Sequence, residues 1–265
     1  MIGVFLIPFD KGVISRPGSK LAPNKIKSYL MNLNFKNKEI LKFFEIELEN
    51  FDTYKAHQEI YNFIKKHLNY EFYVFIGGDH SITYATFKAI NSTLKNPLII
   101  NIDKHFDIRD WSFDNISSGT SFSRLLDEKI IEPKQLIEIG IMDFYNSDYL
   151  FQKAKNYGFE FIKMLEIKKN FKDVIKKIEE KMKNFDSIYL SIDIDVMDSS
   201  ICPGSSASSP FGLRQEEIFE IIDLIISSKK LKALDIVETN PLVDFDDNTS
   251  KFSALILAYI ISQIK

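Results

Sequence analysis

The sequence predicts an α/β protein in which helices cover both faces of a mostly parallel sheet. Short apolar runs recur along the chain, and most of them are followed by a segment with the apolar spacing of an amphipathic helix. Strands that alternate with helices pair in parallel, because each helix carries the chain back across the sheet. The length of 265 residues and the apolar content of 45% suit one large domain over residues 1–265.

Eight apolar runs and six amphipathic segments support this prediction. The expected strands are residues 2–8, 43–48, 72–76, 98–102, 135–141, 159–164, 187–194 and 232–237. The expected helices are residues 53–68, 82–94, 147–157, 165–183, 215–227 and 250–264. Stretches rich in Gly, Ser, Pro or charged residues are expected to be long loops, namely residues 10–23, 107–121 and 199–212.

The composition excludes several classes of protein. Lys and Arg number 34 against 37 Asp and Glu, and a net charge of −3 gives no attraction to nucleic acid or to an anionic membrane. The apolar residues 1–9 are too short to cross a bilayer and lack the flanks of a secretion signal. Cys202 is the single cysteine, so an intramolecular disulfide is impossible, and we expect a cytoplasmic protein.

The four histidines fall into two pairs. His57 and His67 lie in a predicted helix beside lysines and are expected to be surface or partly buried residues. His80 and His105 each follow a predicted strand and have aspartates as neighbours. In a parallel sheet the carboxyl ends of the strands lie on one edge, which is where α/β proteins bind ligands.

Acidic residues accompany these two histidines at the predicted edge. They follow four different strands and are Asp79, Asp103, Asp107, Asp193, Asp195 and Glu238. Carboxylates at positions i and i+2 of an extended chain project to the same side and repel each other unless a cation neutralises them. The alternative is an ordinary polar exit from each strand, since Asp is common in turns.

The types of ligand favour a particular metal chemistry. Four aspartates and two histidines without a thiolate argue against structural zinc and suit Mn²⁺, or else Fe²⁺, Co²⁺, Ni²⁺ or Zn²⁺. One ion with an open position needs fewer ligands, so two ions that share carboxylates fit better. Such a pair acidifies a shared water, which then attacks an electrophilic carbon or phosphorus.

Three blocks of sequence resemble the signatures of the ureohydrolases, the superfamily of arginases, agmatinases and formimidoylglutamases. They are Gly77-Gly78-Asp79-His80-Ser81, Asp103-Lys104-His105-Phe106-Asp107 and Ser191-Ile192-Asp193-Ile194-Asp195-Val196-Met197-Asp198. The late strand that runs into Glu238 matches as well, and the resemblance covers nearly the whole chain. It implies an arginase-like three-layer α/β/α fold and hydrolysis of a C–N bond in a guanidine or amidine.

The resemblance also implies two Mn²⁺ ions per chain and assigns their ligands. These are His80, Asp103, Asp107 and Asp193 for one ion, and Asp103, His105, Asp193 and Asp195 for the other. Asp103 and Asp193 would bridge the ions, whereas Asp198 would lie outside the metal shell and shape the following loop. A metal-bridging hydroxide would attack the substrate carbon, and trimers or hexamers are implied for the assembly.

Substrate contacts follow from the same resemblance. Glu238 and Asp107 would be the catalytic residues, and Glu238 would hydrogen-bond the cationic amidinium group. Ser118 stands where arginases and agmatinases carry a histidine proton shuttle. Formimidoylglutamases are similar to this chain there, so the predicted reaction converts N-formimidoyl-L-glutamate to L-glutamate and formamide in histidine breakdown. Independently of the resemblance, Arg109 and Arg124 flank the expected site loop and could bind the two substrate carboxylates, the alternative being that they are ordinary surface arginines.

Other interpretations stay open at this point. A ureohydrolase for agmatine, arginine or a guanidino acid is the nearest alternative, and a non-catalytic metal-binding member of the fold is a more distant one. A small molecule is the expected partner, without nucleic acid or membrane. Lys104 replaces the alanine usual in the second block, and its side chain is expected to point away from the metal ligands.

Overall fold

The computed structural model describes residues 1–49 and 52–264 and contains a sheet of eight parallel strands. In chain order these are β1 Ile2–Leu6, β2 Leu41–Glu45, β3 Phe72–Ile76, β4 Pro97–Ile102, β5 Leu136–Ile141, β6 Glu160–Lys163, β7 Ser187–Asp193 and β8 Leu231–Val237. Across the sheet their order is β2-β1-β3-β8-β7-β4-β5-β6. All predicted strands are present, and β2 differs most from its prediction of 43–48.

Helices pack on both faces of this sheet. They are α1 Ala22–Asn32, α2 Thr53–Lys65, α3 Ile82–Ile90, α4 Ser121–Asp127, α5 Asp148–Tyr157, α6 Met164–Lys183, α7 Gln215–Ser227 and α8 Asn248–Gln263. Buried side chains of α1, α6, α7 and α8 form one core with the sheet, and those of α2 to α5 form the other. This confirms the predicted three-layer α/β/α fold. Within residues 1–49 and 52–264, no helix has the length and apolarity to span a membrane.

The apolar pattern does not predict two of these helices, α1 and α4. α1 starts at the end of the stretch 10–23, which is expected to be a loop, and has a proline in its first turn. α4 has only seven residues, and six of them are buried. A helix without a solvent-facing side shows no amphipathic periodicity, so its sequence resembles that of the loop before it.

Side chains alternate between the two cores along each central strand. In β4, Ile100 and Ile102 pack on the side of α1, whereas Ile99 packs on the side of α3. With a period of two, Asn101 shares the side of Ile99 and is followed there by Asp103. Parallel register places Asn101 beside Ser191 of β7. Polar residues of neighbouring strands are therefore adjacent just below the carboxyl edge of the sheet.

Candidate metal centre

Three strand ends place His80 among carboxylates at the carboxyl edge of the sheet. His80 follows β3, Asp103 and Asp107 follow β4, and Asp193 ends β7. The Nδ1 atom of His80 lies 3.2 Å from Asp103 Oδ2, 2.9 Å from Asp107 Oδ2 and 3.3 Å from Asp193 Oδ2. All four residues are buried, so water does not screen these contacts.

A second group lies beside the first and shares one residue with it. His105 Nδ1 is 3.2 Å from Asp195 Oδ2 and 3.5 Å from Asp103 Oδ1. The two oxygens of Asp103 thus face different histidines, since Oδ2 is the atom near His80. This is the arrangement expected of a carboxylate that bridges two cations.

Hydrogen bonds orient the His80 ring so that Nδ1 is the candidate ligand atom. Ser191 Oγ donates to Asp235 Oδ1 at 2.6 Å, so it accepts from His80 Nε2, which is 3.0 Å away. A neutral ring protonated on Nε2 carries a lone pair on Nδ1. When the ring is neutral, as it is when a cation takes the place of the Nδ1 proton, that lone pair faces three carboxylate oxygens, and Nδ1 has no hydrogen-bond partner among the described residues. A cation between these atoms turns the repulsion into attraction.

The ionisation of the group reflects the same excess of negative charge. Burial raises the pKa of Asp193 well above its usual value, and the charges of Asp195 and Asp103 raise it further. Burial, followed by the charge of Asp103, also raises the pKa of Asp107. For His80, burial acts to lower the pKa, but its three carboxylate neighbours outweigh this and raise it well above the usual value. A divalent cation would relieve this crowding of carboxylates.

The donor set fits divalent cations. Two groups of potential ligands are close enough to hold an ion each: His80, Asp103 and Asp107, and Asp103, His105 and Asp195. The buried Asp195 Oδ1 also has no hydrogen-bond partner within the described part of the chain. Asp193 belongs mainly to the first group, because its Oδ2 faces His80 while its Oδ1 accepts from the Asp195 N–H at 2.8 Å.

A cavity of about 210 Å³ opens beside these two groups. His105, Asp107, Asp193 and Asp195 are part of its lining, whereas His80 and Asp103 lie behind them and are fully buried. Val13 to Ser15 and Ser206 to Ala207 form further walls, and both segments come from predicted loops. The cavity is large enough for a small organic molecule and gives it access to both groups.

Glu238 enters this cavity from the end of β8. Its backbone φ is 65°, and Asp107 has a φ of 48°, both in the left-handed region that favours glycine. The Glu238 N–H donates to Gly78 O at 2.8 Å, and its Oε1 accepts from the His80 N–H at 2.8 Å. Burial raises its pKa well above the usual value, with Asp193 and Asp79 adding to the shift. A strained, buried carboxylate in a cavity is suited to a cationic ligand.

Arg109 and Ser118 also line the cavity, as the sequence suggests. Arg109 is exposed at this point, and the neighbouring carboxylate of Asp110 pairs instead with Lys153 at 2.6 Å. The Ser118 N–H donates to Gly12 O at 2.7 Å, which connects the two loops at the cavity. The guanidinium of Arg109 is therefore placed where an anionic part of a ligand can meet it.

Arg124 does not line this cavity, which corrects the sequence prediction. Its side chain is buried, with Nη1 donating to His57 Nδ1 at 2.7 Å and Cζ 3.4 Å from the centre of the Tyr84 ring. It borders a separate cavity of about 360 Å³ beside α2 and α3. Because Arg124 lies on the unpredicted helix α4, its side chain points into the core. His57 is also buried, at 1% exposure, rather than near the surface.

Several buried polar residues on the strands lie next to the candidate ligands and orient them. The sequence analysis does not predict these residues as part of the site. They include Ser191 and Asp235, described above, and a pair on the adjoining strands. Asn101 Nδ2 donates to Glu138 Oε2 at 2.6 Å and lies 3.5 Å from Asp103 Oδ2. In the sequence, such a supporting residue can be recognised as a polar residue two positions before a candidate ligand, because that spacing places both side chains on the same side of the strand. Asn101 and Ser191 both meet that criterion.

Two expectations about residues next to the ligands agree with the structure. Asp198 shapes the following loop, since its Oδ1 accepts from the Ser200 N–H at 3.0 Å and its Oδ2 from the Phe211 N–H at 2.7 Å. The side chain of Lys104 points away from the metal ligands, and its Nζ lies 3.0 Å from Ser209 Oγ.

Fold and centre together define a class of protein: a three-layer α/β/α hydrolase scaffold with a carboxylate and imidazole site for divalent cations at the carboxyl edge of a parallel sheet. A sequence profile described as the Arginase family matches residues 1–262. The chain belongs to the arginase family.

Individual proteins and solved structures show how far this similarity extends. A formimidoylglutamase of Bacillus subtilis (strain 168) is 31% identical over 277 residues, which cover 98% of this chain and 86% of that protein. The crystal structure of formimidoylglutamase from Bacillus subtilis subsp. subtilis str. 168 aligns with a TM-score of 0.90 over 99% of this chain and 86% of that chain, at 31% identity. Proclavaminate amidino hydrolase from Streptomyces clavuligerus aligns with a TM-score of 0.89 over 99% and 91% of the two chains, at 25% identity. These findings confirm the predicted superfamily and the predicted enzyme class, an amidinohydrolase.

Proposed function

We propose that the chain is a cytoplasmic, Mn²⁺-dependent formimidoylglutamase that converts N-formimidoyl-L-glutamate and water to L-glutamate and formamide. Relatives that are 31% identical bear the name formimidoylglutamase. One observation supports the proposal above all: Glu238, Arg109 and four of the six candidate metal ligands line a single cavity of about 210 Å³, the four being His105, Asp107, Asp193 and Asp195. A substrate with an amidinium group and two carboxylates has charges that complement this lining.

The metal part of the proposal follows from the donor set. One ion would be held by His80, Asp103, Asp107 and Asp193, and the other by Asp103, His105, Asp193 and Asp195. Carboxylates with two imidazoles and no thiolate suit Mn²⁺. When bound, such ions supply a nucleophile at neutral pH by lowering the pKa of water.

Glu238 binds and orients the reactive end of the substrate in this proposal. An amidinium has N–H donors that can meet one carboxylate in a bidentate pair, which fixes the plane of the group. That plane decides which face of the amidine carbon is turned toward the metal ligands. The pairing also neutralises a carboxylate whose raised pKa reflects burial first and then the nearby charges of Asp193 and Asp79.

Arg109 binds the other end of the substrate. Its guanidinium presents a planar set of donors that matches a carboxylate in geometry and charge. Ser118, beside it in the lining, leaves room where a histidine would extend into the cavity. A dicarboxylate amidine fits this arrangement better than agmatine, which has no carboxylate for Arg109 to bind.

Departure of glutamate requires a proton on its nitrogen as the C–N bond breaks. Asp107 lines the cavity and its Oδ2 lies 2.9 Å from His80 Nδ1. Its carboxyl group therefore lies at the boundary between the candidate metal centre and the cavity, where it can take the proton lost by the attacking water and pass it to the leaving nitrogen. This is the catalytic role that we assign to Asp107.

A substrate panel tests the proposal. The purified protein is reconstituted with Mn²⁺ and assayed on formimidoylglutamate, agmatine, arginine and guanidinobutyrate, with formamide and urea measured separately. We expect formamide from formimidoylglutamate with a kcat/KM at least ~100-fold above that for any guanidine. Urea as the main product would favour the rival ureohydrolase activities. A single bound ion without stimulation by Mn²⁺ would contradict the two-metal centre.

A further inference from the structure

We propose that Lys104 is a positioning residue that holds two walls of the substrate cavity in place, an inference that rests on the proposed function. Lys104 lies between the candidate ligands Asp103 and His105 in sequence, yet its side chain serves a different purpose. Its ammonium group contacts residues other than the candidate metal ligands. Its contacts define its role.

Among the described residues, the ammonium group of Lys104 contacts only uncharged groups. The residue is fully buried, and its Nζ donates to the carbonyl oxygen of Ala207 and to Ser209 Oγ, the latter at 3.0 Å. Nζ also lies 4.7 Å from the centre of the Tyr145 ring, within the range of a cation–π contact. A buried ammonium group that keeps three partners in place restricts the movement of all of them.

Two of these three partners belong to the cavity. Ala207 and Tyr145 both line it, from the loop after β7 and from the segment after β5 respectively. The Tyr145 ring in turn packs edge-on against His105, with ring centres 6.3 Å apart. Lys104 therefore connects the end of β4, which carries the ligands, to two separate walls of the substrate cavity.

The connection continues to the N-terminal loop. Ser206 Oγ donates to Arg16 O at 2.6 Å, and Ser15 Oγ donates to Ser206 O at 3.2 Å. Ser206 and Ser15 both line the cavity. Loss of the lysine ammonium would leave the Ala207 carbonyl and the buried Ser209 hydroxyl without this donor. The loop after β7 would then move until water hydrated these two groups. The shape of the cavity would change while the metal ligands, fixed by the sheet, stayed in place.

The first test is Lys104→Met, which keeps most of the side-chain volume and removes the donor. For formimidoylglutamate we expect KM to rise about tenfold and kcat to change less than about threefold. A displaced wall weakens binding of the substrate and of the transition state by similar amounts, which raises KM and leaves kcat nearly constant. Bound metal should remain at the wild-type level. The matched control is Lys181→Met, since Lys181 is also buried but lies on α6, pairs with Glu160 of β6 at 2.7 Å and does not line the substrate cavity. This control should leave KM unchanged.

A second variant separates positioning from general destabilisation. Ser209→Ala removes one acceptor of Lys104, so it should raise KM in the same direction by a smaller factor. The double variant with Lys104→Met should be no worse than Lys104→Met alone, because both changes break the same connection. Additive effects, an unchanged KM, or a parallel loss of kcat and bound metal would overturn the proposal.

Hydrogen exchange tests the connection without any substrate. In Lys104→Met, the amides of residues 205–209 should exchange faster, while those of β4 keep their protection. Unchanged exchange at 205–209 would overturn the positioning role. If the wild-type protein failed to hydrolyse formimidoylglutamate, the proposed function would fail, but this measurement would still decide whether Lys104 holds the loop.

Discussion

The Nε2 atom of His80 lies 3.0 Å from Ser191 Oγ, and that hydroxyl donates to Asp235 Oδ1 at 2.6 Å. Asp235 is fully buried and also accepts at Oδ2 from Thr83 at 2.8 Å and from Tyr189 at 2.6 Å. A fixed carboxylate thus sets the direction of the serine hydroxyl, and the serine sets the tautomer of the histidine. The candidate ligand atom Nδ1 is prepared by residues that do not themselves face the metal site.

Ser191→Ala should therefore weaken metal binding without removing any ligand. Loss of an orienting partner of a metal-bound histidine typically costs 10- to 100-fold in affinity, so we expect Mn²⁺ affinity to fall by about 10- to 100-fold. Titration of the metal-free protein with Mn²⁺ measures this. Ser187→Ala is the matched control, because Ser187 is buried on the same strand and its Oγ donates to Lys95 O at 2.8 Å. Equal affinities in the two variants would contradict the role of Ser191.

The candidate ligands could be predicted from the sequence for a physical reason. Each follows an apolar run, and a parallel sheet gathers the carboxyl ends of its strands on one edge. Asp235 carries no comparable signal, and the position of Ser191 two residues before Asp193 is a weaker one. A serine within a strand is compatible with simple packing, and its contact with Asp235 depends on the register of β7 against β8. Register between distant strands is not visible in one sequence.

The sequence predicts the residues that contact the substrate less well than the candidate metal ligands. Arg109 and Arg124 look equivalent in the sequence, since one lies near the start of the predicted loop 107–121 and the other just after its end. The structure separates them, because Arg109 is on the loop and lines the cavity, whereas Arg124 is on α4 and packs on Tyr84. Six of the seven residues of α4 are buried, so its sequence lacks the amphipathic periodicity by which a helix is predicted.

The single cysteine should be inert in the folded protein. Burial raises the pKa of the Cys202 thiol far above its usual value, and the charge of Asp244 raises it further. A raised pKa keeps the thiol protonated near pH 8, and the thiolate is the reactive form. We expect a disulfide reagent to label the native protein at least ~100-fold more slowly than the unfolded protein. Because the chain has one cysteine, rapid labelling under native conditions would directly contradict the burial of Cys202.

Glu238→Gln should damage catalysis while sparing the metal centre. The amide keeps the size of the side chain and can still accept from the His80 N–H, which Glu238 Oε1 does at 2.8 Å. It lacks the charge that pairs with an amidinium, and breaking a buried charged pair costs about 3 kcal/mol, or ~100-fold in kcat/KM. Steady-state kinetics together with metal analysis measure both properties. A loss of bound metal in proportion to activity would assign Glu238 to the metal centre instead of the substrate.

Arg109→Met and Arg124→Met should have opposite consequences. Removal of the Arg109 guanidinium eliminates the proposed carboxylate contact, so KM for formimidoylglutamate should rise at least ~10-fold, about 1.4 kcal/mol, with little change in thermal stability. Arg124 is buried against His57 and Tyr84, so its replacement should lower the melting temperature and leave KM near the wild-type value. Kinetics and thermal unfolding of both variants, each loaded with Mn²⁺, distinguish the two arginines. A rise in KM for Arg124→Met alone would place the substrate carboxylates in the second cavity, beside α2 and α3.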